Sequence, residues 1–279
     1  MSELHAGSHR LSLARPLIMG IVNTTPDSFS DGGRLAGVAQ AVEHGLRLRT
    51  EGAAIIDVGG ESTRPGAAAV SVEEESRRVL PVIEALARQG CVVSVDTRKP
   101  EVMHAAIQVG AVMINDVMAL RAPGALEIAA ASGAAICLMH MQGEPQSMQQ
   151  APCYVDVVED VETFLLARVN ACVAAGIAKT RLVIDPGFGF GKTLDHNLAL
   201  LKRLNKLAQY GVPVMAGLSR KALLGTLTGR DVESREFASV AAHLVAAARG
   251  AKLLRVHDVA AMSDALAVWN AVEEQQNGT

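Results

Sequence analysis

Residues 92–116 read VVSVDTRKPEVMHAAIQVGAVMIND, and this stretch decides the fold. It opens with an aliphatic run, Val92–Val95, which is typical of a strand buried on both faces of a parallel sheet. A helical pattern, with apolar residues three and four positions apart, follows over Pro100–Val109, and Gly110 marks its end. A second aliphatic run, Ala111–Ile114, comes directly after the glycine. The stretch therefore predicts a strand, a helix and a further parallel strand in succession.

The same unit recurs along the whole chain. Eight aliphatic runs predict eight strands, a helical pattern lies between successive runs, and a further helix follows the last run. The predicted strands are Leu17–Val22, Ala54–Val58, Val92–Val95, Ala111–Ile114, Ala135–Met139, Leu182–Ile184, Val212–Ala216 and Lys252–Val256. The predicted helices are Val38–Glu51, Glu73–Gln89, Pro100–Val109, Gly124–Ala131, Val155–Ala175, His196–Gln209, Glu233–Arg249 and Val259–Glu274.

Eight strand–helix units predict the α/β class and, within it, a single-domain (β/α)8 TIM barrel, for which about 250 residues is typical. No low-complexity linker or charge block divides the chain, so residues 1–279 form one predicted domain. Residues 1–15 are expected to be a loosely ordered N-terminal segment of it. The main alternative is an open doubly wound sheet, which the regularity of the eight units disfavours.

Composition argues against several classes of protein. With 26 Lys and Arg against 29 Asp and Glu, the net charge of −3 argues against a generally basic nucleic-acid binder. The apolar runs are too short or too interrupted to span a bilayer, and the first residues lack the apolar core of a signal peptide. The four cysteines have no CxxC spacing. We therefore expect a soluble, cytoplasmic protein that binds neither nucleic acid nor membrane.

Polar residues stand at the carboxyl ends of the predicted strands, where a (β/α)8 barrel places its active site. Three of them, Asp96, Asn115 and Asp185, offer acceptors suited to the N–H edge of a flat heterocycle, because one carboxylate can accept two parallel N–H groups. Any one of these residues could equally cap a loop, but a barrel brings all eight strand ends together. The full set is Asn23, Asp57, Asp96, Asn115, Asp116, His140, Asp185, Ser219, Arg220, Lys221, Arg255, His257 and Asp258.

Cationic residues collect at the same end of the predicted barrel. Arg64, Lys221 and Arg255 are positively charged and His257 can become so, which suits phosphate or carboxylate groups. Because the protein as a whole is slightly acidic, cations gathered at one rim predict a small anionic ligand. The strand ends therefore sort into two chemistries, one for a heterocycle and one for an anion.

Three common kinds of site are disfavoured. The segment DPGFGFGKT at 185–193 resembles a P-loop, but that motif would need glycine where Pro186 stands. Its glycines are instead expected to shape a tight loop that carries Phe188 and Phe190 beside the site, although both rings could simply pack beneath that loop. Ser219 lacks the G-x-S-x-G setting of a hydrolase nucleophile. The eight histidines lack the spacings of a zinc site, so any metal is expected to be Mg²⁺ held mostly by substrate phosphates.

Eight segments in register with the predicted strand ends resemble the dihydropteroate synthase family, the pterin-binding enzymes of folate biosynthesis. The resemblance extends from Met19 to Asp258, which is nearly the whole chain. A single tetrapeptide would be weak support, but eight segments in order are strong support. The segments are MGIVNTTPDSFSDGG (19–33), DVGGESTRPGA (57–67), SVDTRKP (94–100), INDV (114–117), LMHMQG (138–143), DPGFGFGKT (185–193), GLSRK (217–221) and RVHDV (255–259).

The resemblance implies a function. Members of the family are transferases that condense 6-hydroxymethyl-7,8-dihydropterin diphosphate with 4-aminobenzoate, giving 7,8-dihydropteroate and diphosphate. The resemblance also implies Mg²⁺ as cofactor and inhibition by sulfonamides, which mimic 4-aminobenzoate. It further implies a homodimer formed through helices late in the barrel, where Glu233–Arg249 and Val259–Glu274 lie.

Carried over position by position, the resemblance implies four groups of site residues. The pterin pocket falls on Asp96, Asn115, Met139, Asp185, Phe190 and Lys221. The 4-aminobenzoate site falls on Phe29, Thr63, Pro65 and Ser219. The diphosphate site falls on Asn23, Arg64, Arg255 and His257, with Mg²⁺ bridging Asn23 and the phosphates. The residues expected to act in catalysis are Asp31, Arg64, Lys221, Arg255 and His257.

Two alternative functions use the same barrel. A methyltransferase that takes methyltetrahydrofolate and passes the methyl group to a corrinoid protein would share Asp96, Asn115 and Asp185. It would have no use for the loops NTTPDSFSDGG and ESTRPG. A non-catalytic pterin-binding barrel would not need the cations of a diphosphate site. The sequence therefore favours the synthase over both.

Overall fold

The computed structural model describes residues 2–24, 33–62, 66, 69–143 and 148–276. Within these ranges, eight parallel strands close into a barrel in which each strand pairs with its neighbours in sequence, and the last pairs with the first. A short antiparallel hairpin precedes the barrel. The strands are β1 (Glu3–Ala6), β2 (His9–Ser12), β3 (Leu17–Asn23), β4 (Ile55–Gly59), β5 (Val93–Asp96), β6 (Met113–Asp116), β7 (Ala135–Met139), β8 (Leu182–Asp185), β9 (Val214–Ala216) and β10 (Ala251–Val256).

Helices surround the barrel, and every link between successive barrel strands contains at least one. They are α1 (Gly33–Thr50), α2 (Val72–Arg88), α3 (Pro100–Gln108), α4 (Ala125–Ala131), α5 (Val157–Ala174), α6 (Leu194–Lys202), α7 (Asn205–Ala208), α8 (Ala222–Thr228), α9 (Glu236–Ala248) and α10 (Val259–Gln276). The predicted (β/α)8 TIM barrel is confirmed, and each predicted strand overlaps a barrel strand.

Two helical regions differ from the prediction. The helix predicted over His196–Gln209 is two helices, α6 and α7, and the chain leaves helical geometry at Arg203, whose guanidinium pairs with Asp156 at the start of α5 (2.7 Å). The helix α8 has no predicted counterpart, because its seven residues include Gly225 and are followed directly by Gly229. A segment this short lacks the repeated apolar spacing on which a helix prediction depends.

The N-terminal hairpin closes the amino end of the barrel. Leu4 and Ala6 of β1 and Leu13 after β2 are buried in the same cluster as Met19 and Ile55 of the barrel strands. The expectation that residues 1–15 are loosely ordered is therefore wrong for the described part of this segment. Each hairpin strand has only four residues, so its alternation of buried and exposed positions is too short to distinguish from a polar tail.

Aliphatic side chains fill the space on both sides of the barrel wall. One cluster occupies the barrel interior and includes Met113, Val183 and Leu253. A second and larger cluster packs the outer faces of the strands against the helices. This double burial is the reason that the strands are continuous aliphatic runs in the sequence. With the amino end closed by the hairpin, the carboxyl end is where the barrel is open to a ligand.

No helix in the described part of the chain combines the length and the hydropathy needed to cross a bilayer. All four cysteines are free thiols, and three of them are buried.

Candidate active site at the carboxyl end of the barrel

A cavity opens at the carboxyl end of the barrel, with about 510 Å³ of empty space that includes the open solvent at its mouth. Most of its lining residues stand at the carboxyl ends of the barrel strands or directly after them, where a (β/α)8 barrel places its active site. All six residues predicted for the pterin pocket line it, and these are Asp96, Asn115, Met139, Asp185, Phe190 and Lys221. Ser219, Arg255 and His257 line the same cavity. The structure thus brings together most of the predicted site, although the role of each residue stays a prediction.

Six predicted site residues are not among the described residues that line the cavity. Asn23 ends β3 with an exposed side chain and is not among the residues that line the cavity. The other five lie outside the described residues, and they are Phe29, Asp31, Thr63, Arg64 and Pro65.

Arg255 joins two carboxylates beside the cavity. Its Nε donates to Asp57 Oδ2 (2.7 Å), and its Nη2 donates to Asp96 Oδ2 (2.6 Å). Asn115 Nδ2 donates to the same Asp57 oxygen (3.0 Å), which leaves the Asn115 amide oxygen available as an acceptor. One hydrogen-bonded network therefore ties the carboxyl ends of β4, β5, β6 and β10 together. The sequence places Asp57 at a strand end but does not indicate this central position.

Burial governs the charges in the cavity. It raises the pKa of Asp96 to about 7, although Arg255 lowers that pKa. It also raises the pKa of Asp185, against the hydrogen bond that Gly187 N–H donates to Asp185 Oδ1 (2.7 Å) and the charge of Lys221. Burial lowers the pKa of Lys221 to about 8, and Asp185 opposes that shift. Because these groups are poorly hydrated, a polar ligand meets strong electrostatic interactions here.

The segments after β8 and β9 meet through Lys221 and Phe190. The Lys221 Nζ lies 4.1 Å from the centroid of the Phe190 ring, a cation–π contact. Just before it, Arg220 adopts a left-handed conformation (φ 57°), and its guanidinium pairs with Asp258 after β10 (2.6 Å). The lysine side chain therefore lies against an aromatic ring of one strand-exit segment, and the residue before it is tied to another segment by an ion pair.

Ser219 and His257 are joined to each other. The backbone N–H of His257 donates to Ser219 Oγ (3.1 Å), and the same oxygen lies 2.9 Å from His257 Nδ1. These contacts fix the imidazole ring at the cavity wall. They also link a residue predicted to bind 4-aminobenzoate with one predicted to bind diphosphate.

His243 of α9 holds the segment after β9 in place. Its Nδ1 donates to Ser239 O (2.7 Å), and its Nε2 accepts from Leu218 N–H (3.2 Å), so the ring is a neutral tautomer with both nitrogens used. Ser239 Oγ accepts from Arg220 N–H (2.9 Å). The side chain is fully buried, and burial lowers the pKa of His243 to about 4. The helical pattern of the sequence indicates that His243 is a surface or packing residue. The structure shows a packing residue whose two ring nitrogens are both hydrogen-bonded.

Acid should weaken the fold through His243. The unfolded chain protonates this imidazole below about pH 6.5, whereas the folded chain does so only near its lowered pKa, so its contribution to stability is present above pH 6.5 and is lost as the pH falls. Between pH 7 and pH 5, wild type should lose about 2 kcal/mol of unfolding free energy relative to His243→Leu, which has no titrating group. Urea unfolding of both proteins at both pH values measures this difference. A difference that does not change with pH would contradict the neutral, buried assignment.

The end of β3 offers one oxygen donor to the predicted Mg²⁺. Asn23 offers an exposed amide oxygen at the end of β3, and oxygen is the ligand that Mg²⁺ prefers. Among the described residues, no group of three His, Cys, Asp or Glu side chains is placed to hold a metal ion. The Asn23 oxygen would suit an ion that takes one protein oxygen and draws its remaining ligands from substrate and water.

Fold and cavity define a TIM-barrel protein whose carboxyl rim carries acceptor and cationic side chains around one cavity. A model of the family described as pterin binding enzyme matches residues 19–257. The dihydropteroate synthase of Haemophilus influenzae is 50% identical over 270 residues, covering 96% of this chain and 98% of that protein. The chain belongs to the dihydropteroate synthase family.

Solved structures agree with this assignment. The dihydropteroate synthase of Xanthomonas albilineans with 4-aminobenzoic acid is 59% identical, with a TM-score of 0.92 over 98% of both chains. A Yersinia pestis dihydropteroate synthase in complex with a sulfonamide drug is 48% identical, with a TM-score of 0.93 over 98% of this chain and 99% of that one. The resemblance inferred from the eight sequence segments is thus confirmed.

Proposed function

We propose that the chain condenses 6-hydroxymethyl-7,8-dihydropterin diphosphate with 4-aminobenzoate, yielding 7,8-dihydropteroate and diphosphate, as a transferase of folate biosynthesis. The observation that carries the proposal is the rim cavity of a barrel of this family, where three acceptor side chains lie beside two cations. The acceptors are Asp96, Asn115 and Asp185, and the cations are Lys221 and Arg255.

The acceptor side chains suit the pterin end of the substrate. A pterin presents several N–H groups along one edge, and a buried carboxylate such as Asp185 can accept two of them. The amide oxygen of Asn115 supplies a further acceptor, since its nitrogen is already bonded to Asp57. Met139 and Phe190 offer apolar and aromatic surface for the ring faces.

The reaction calls for stabilisation of the leaving group more than for a strong base. The amine of 4-aminobenzoate is neutral at pH 7 and attacks with its lone pair, while the bond from the pterin methylene carbon to the diphosphate oxygen breaks and the amine loses a proton. Lys221, Arg255 and His257 can stabilise the charge that develops on the departing diphosphate. We propose that Asp31 and Arg64 complete this group, and that Ser219 with Phe29, Thr63 and Pro65 binds 4-aminobenzoate and, competitively, sulfonamides.

We further propose that Mg²⁺ binds with the diphosphate at Asn23, where it neutralises phosphate charge as a Lewis acid. Removal of the ion with EDTA should lower turnover at least about 100-fold, in keeping with the several kcal/mol that such an ion contributes to a transition state. Excess Mg²⁺ added after the chelator should restore the rate, and this recovery is the control for damage by EDTA. Full turnover in EDTA would contradict the proposal.

A homodimer through the late helices is also proposed. Large apolar side chains are exposed on three of these helices, with Leu227 on α8, Phe237 on α9, and Val268 and Val272 one turn apart on α10. Phe237 is 83% exposed, which is unusual for an aromatic side chain in a monomer.

Replacing the aromatic side chain should weaken the dimer. Phe237→Ser should raise the dissociation constant more than about tenfold, because buried aromatic anchors dominate interface energies. Sedimentation equilibrium measures the constant, and Val155→Ser, at an exposed apolar residue before α5, is the matched control. A monomeric wild type, or an equal effect of both substitutions, would contradict this interface.

We place the protein in the cytoplasm, because its four thiols are all free and its rim depends on no disulfide.

The methyltransferase alternative is tested directly. Purified protein is given either dihydropterin diphosphate with 4-aminobenzoate and Mg²⁺, or methyltetrahydrofolate with a corrinoid protein. We expect 7,8-dihydropteroate from the first mixture and no methylated corrinoid from the second. Methyl transfer without dihydropteroate would replace the proposed function with the alternative.

A further inference from the structure

Lys192 is a buried lysine that the proposed reaction leaves without a role. It lies in the segment after β8, between Phe190 and the start of α6, and only 3% of the residue is exposed. Burying an ammonium costs several kcal/mol unless polar groups compensate it. The groups around its Nζ therefore indicate what the lysine does.

The partners of Lys192 are neutral acceptors. Its Nζ donates to Phe190 O (2.9 Å) and Gly187 O (3.0 Å), lies 3.0 Å from His140 Nδ1, and is 3.4 Å from His140 O. In the described part of the chain, no carboxylate lies within ion-pair distance of it. Burial and the nearby Lys192 charge lower the pKa of His140 to about 3, so this imidazole is neutral and can accept. The amino group of Lys192 is thus enclosed by three carbonyl groups and one imidazole, which belong to the segments that follow β7 and β8.

These bonds fix a loop that has little freedom of its own. Gly187 is in the left-handed region (φ 68°), and a Cβ there would collide with the carbonyl oxygen of His140. The chain between Gly187 and Phe190 closes a turn in which Phe190 N–H donates to Gly187 O (3.1 Å). Two of the three carbonyls that accept from Lys192, those of Gly187 and Phe190, are therefore at the two ends of this turn.

Each end of the turn contacts a residue that is predicted to bind the pterin. At one end, Gly187 N–H donates to Asp185 Oδ1 (2.7 Å). At the other, the Phe190 ring lies against Lys221 Nζ (4.1 Å). Lys192 does not line the cavity itself. It is linked to Asp185 through Gly187 and to Lys221 through Phe190.

We propose that Lys192 is a positioning residue for the pterin substrate, holding the Gly187–Phe190 turn so that Asp185 and the Phe190–Lys221 pair stay in place. This inference rests on the proposed function. It predicts that the lysine affects binding of the pterin and has little effect on binding of 4-aminobenzoate. Ser219, the described residue predicted to bind 4-aminobenzoate, is bonded to His257 and not to the turn.

Electrostatics supports the same assignment. Burial lowers the pKa of Lys192 to about 7, while Asp185 raises it and Lys221 lowers it further. The ammonium and the Asp185 carboxylate therefore favour each other's charged form without touching.

Lys192→Met tests the proposal, because methionine keeps an unbranched apolar stem and lacks the terminal amino group with its donors. We expect the dissociation constant for 6-hydroxymethyl-7,8-dihydropterin diphosphate, measured by calorimetry with Mg²⁺ and without 4-aminobenzoate, to rise at least about tenfold. We expect the KM for 4-aminobenzoate at saturating pterin to change less than about twofold. Lys179→Met, at an exposed lysine, is the matched control and should change neither constant.

A double-mutant cycle separates positioning from a purely structural role. If Lys192 acts through the turn, Phe190→Ala should cost much less pterin affinity in the Lys192→Met background than in wild type. Additive losses, equal losses for both substrates, or unchanged pterin affinity with a lowered Tm would overturn the proposal. If Lys192→Met does not fold, Lys192→Gln, which keeps a neutral donor, takes its place in the same cycle. Because the pterin dissociation constant and the double-mutant cycle need no turnover, a wild type that binds the pterin but produces no dihydropteroate would refute the proposed function and leave this inference standing.

Discussion

Asp185→Asn should lower the affinity for 6-hydroxymethyl-7,8-dihydropterin diphosphate by roughly 10- to 100-fold, the range expected for losing hydrogen bonds to a charged acceptor. The residue ends β8, is 5% exposed, and already accepts one bond from Gly187 N–H. An amide keeps the shape but replaces one acceptor oxygen with a donor, which would then face the N–H edge of the ligand. It also removes the negative charge that opposes the lowered pKa of Lys221.

Calorimetric titration with the pterin diphosphate measures this loss. Asp231→Asn makes the same chemical change at an exposed aspartate remote from the cavity lining and should leave the affinity unchanged. Thermal melts check that both variants are folded. Wild-type affinity in folded Asp185→Asn would remove this residue from the pterin site.

Arg255→Ala should lower kcat at saturating substrates by about 100- to 1000-fold, as expected when a group that stabilises developing negative charge is removed. Two effects add in this variant. The cavity loses its most extensively paired cation, and the buried Asp57 and the partly buried Asp96 are left without their guanidinium partner. Breaking a buried pair typically costs 3–5 kcal/mol, so a lower Tm should accompany the loss of turnover.

Arg255→Lys separates the two effects, because it keeps the charge but replaces the planar fork that contacts both carboxylates. We expect it to recover much of the Tm and only part of the turnover. Arg230→Ala, at an exposed arginine, is the control for a general loss of positive charge. Wild-type turnover in Arg255→Ala would show that the diphosphate leaves without this residue.

The barrel and its rim could be predicted because both depend on local sequence. A strand buried on both faces must be aliphatic throughout, so Ala135–Met139 is recognisable without knowledge of its neighbours. A charge such as Asp185 directly after such a run has no packing role within the strand, and the barrel places all strand ends on one rim. The fold class and the polar residues of the cavity follow from these two facts, whereas Met139 is assigned through the family resemblance and Ile21, Val117 and Gly217 are not predicted.

The pairings within the site could not be predicted, because they depend on tertiary contacts. Arg255 and Asp57 are 198 positions apart, and nothing in a single sequence indicates that one bonds the other. Lys192 stands in a motif that resembles a phosphate-binding loop, yet its ammonium points at carbonyl groups of its own segment and at His140. His243 follows helical spacing and gives no sign that both ring nitrogens are bonded in the core.

The most direct test of the central claim is diphosphate release from 6-hydroxymethyl-7,8-dihydropterin diphosphate with Mg²⁺, measured with and without 4-aminobenzoate. The proposed function predicts that sustained release requires the arylamine and that one 7,8-dihydropteroate forms for each diphosphate. Binding of the pterin diphosphate with no release in either mixture, or release that does not depend on the arylamine and yields no dihydropteroate, would contradict it.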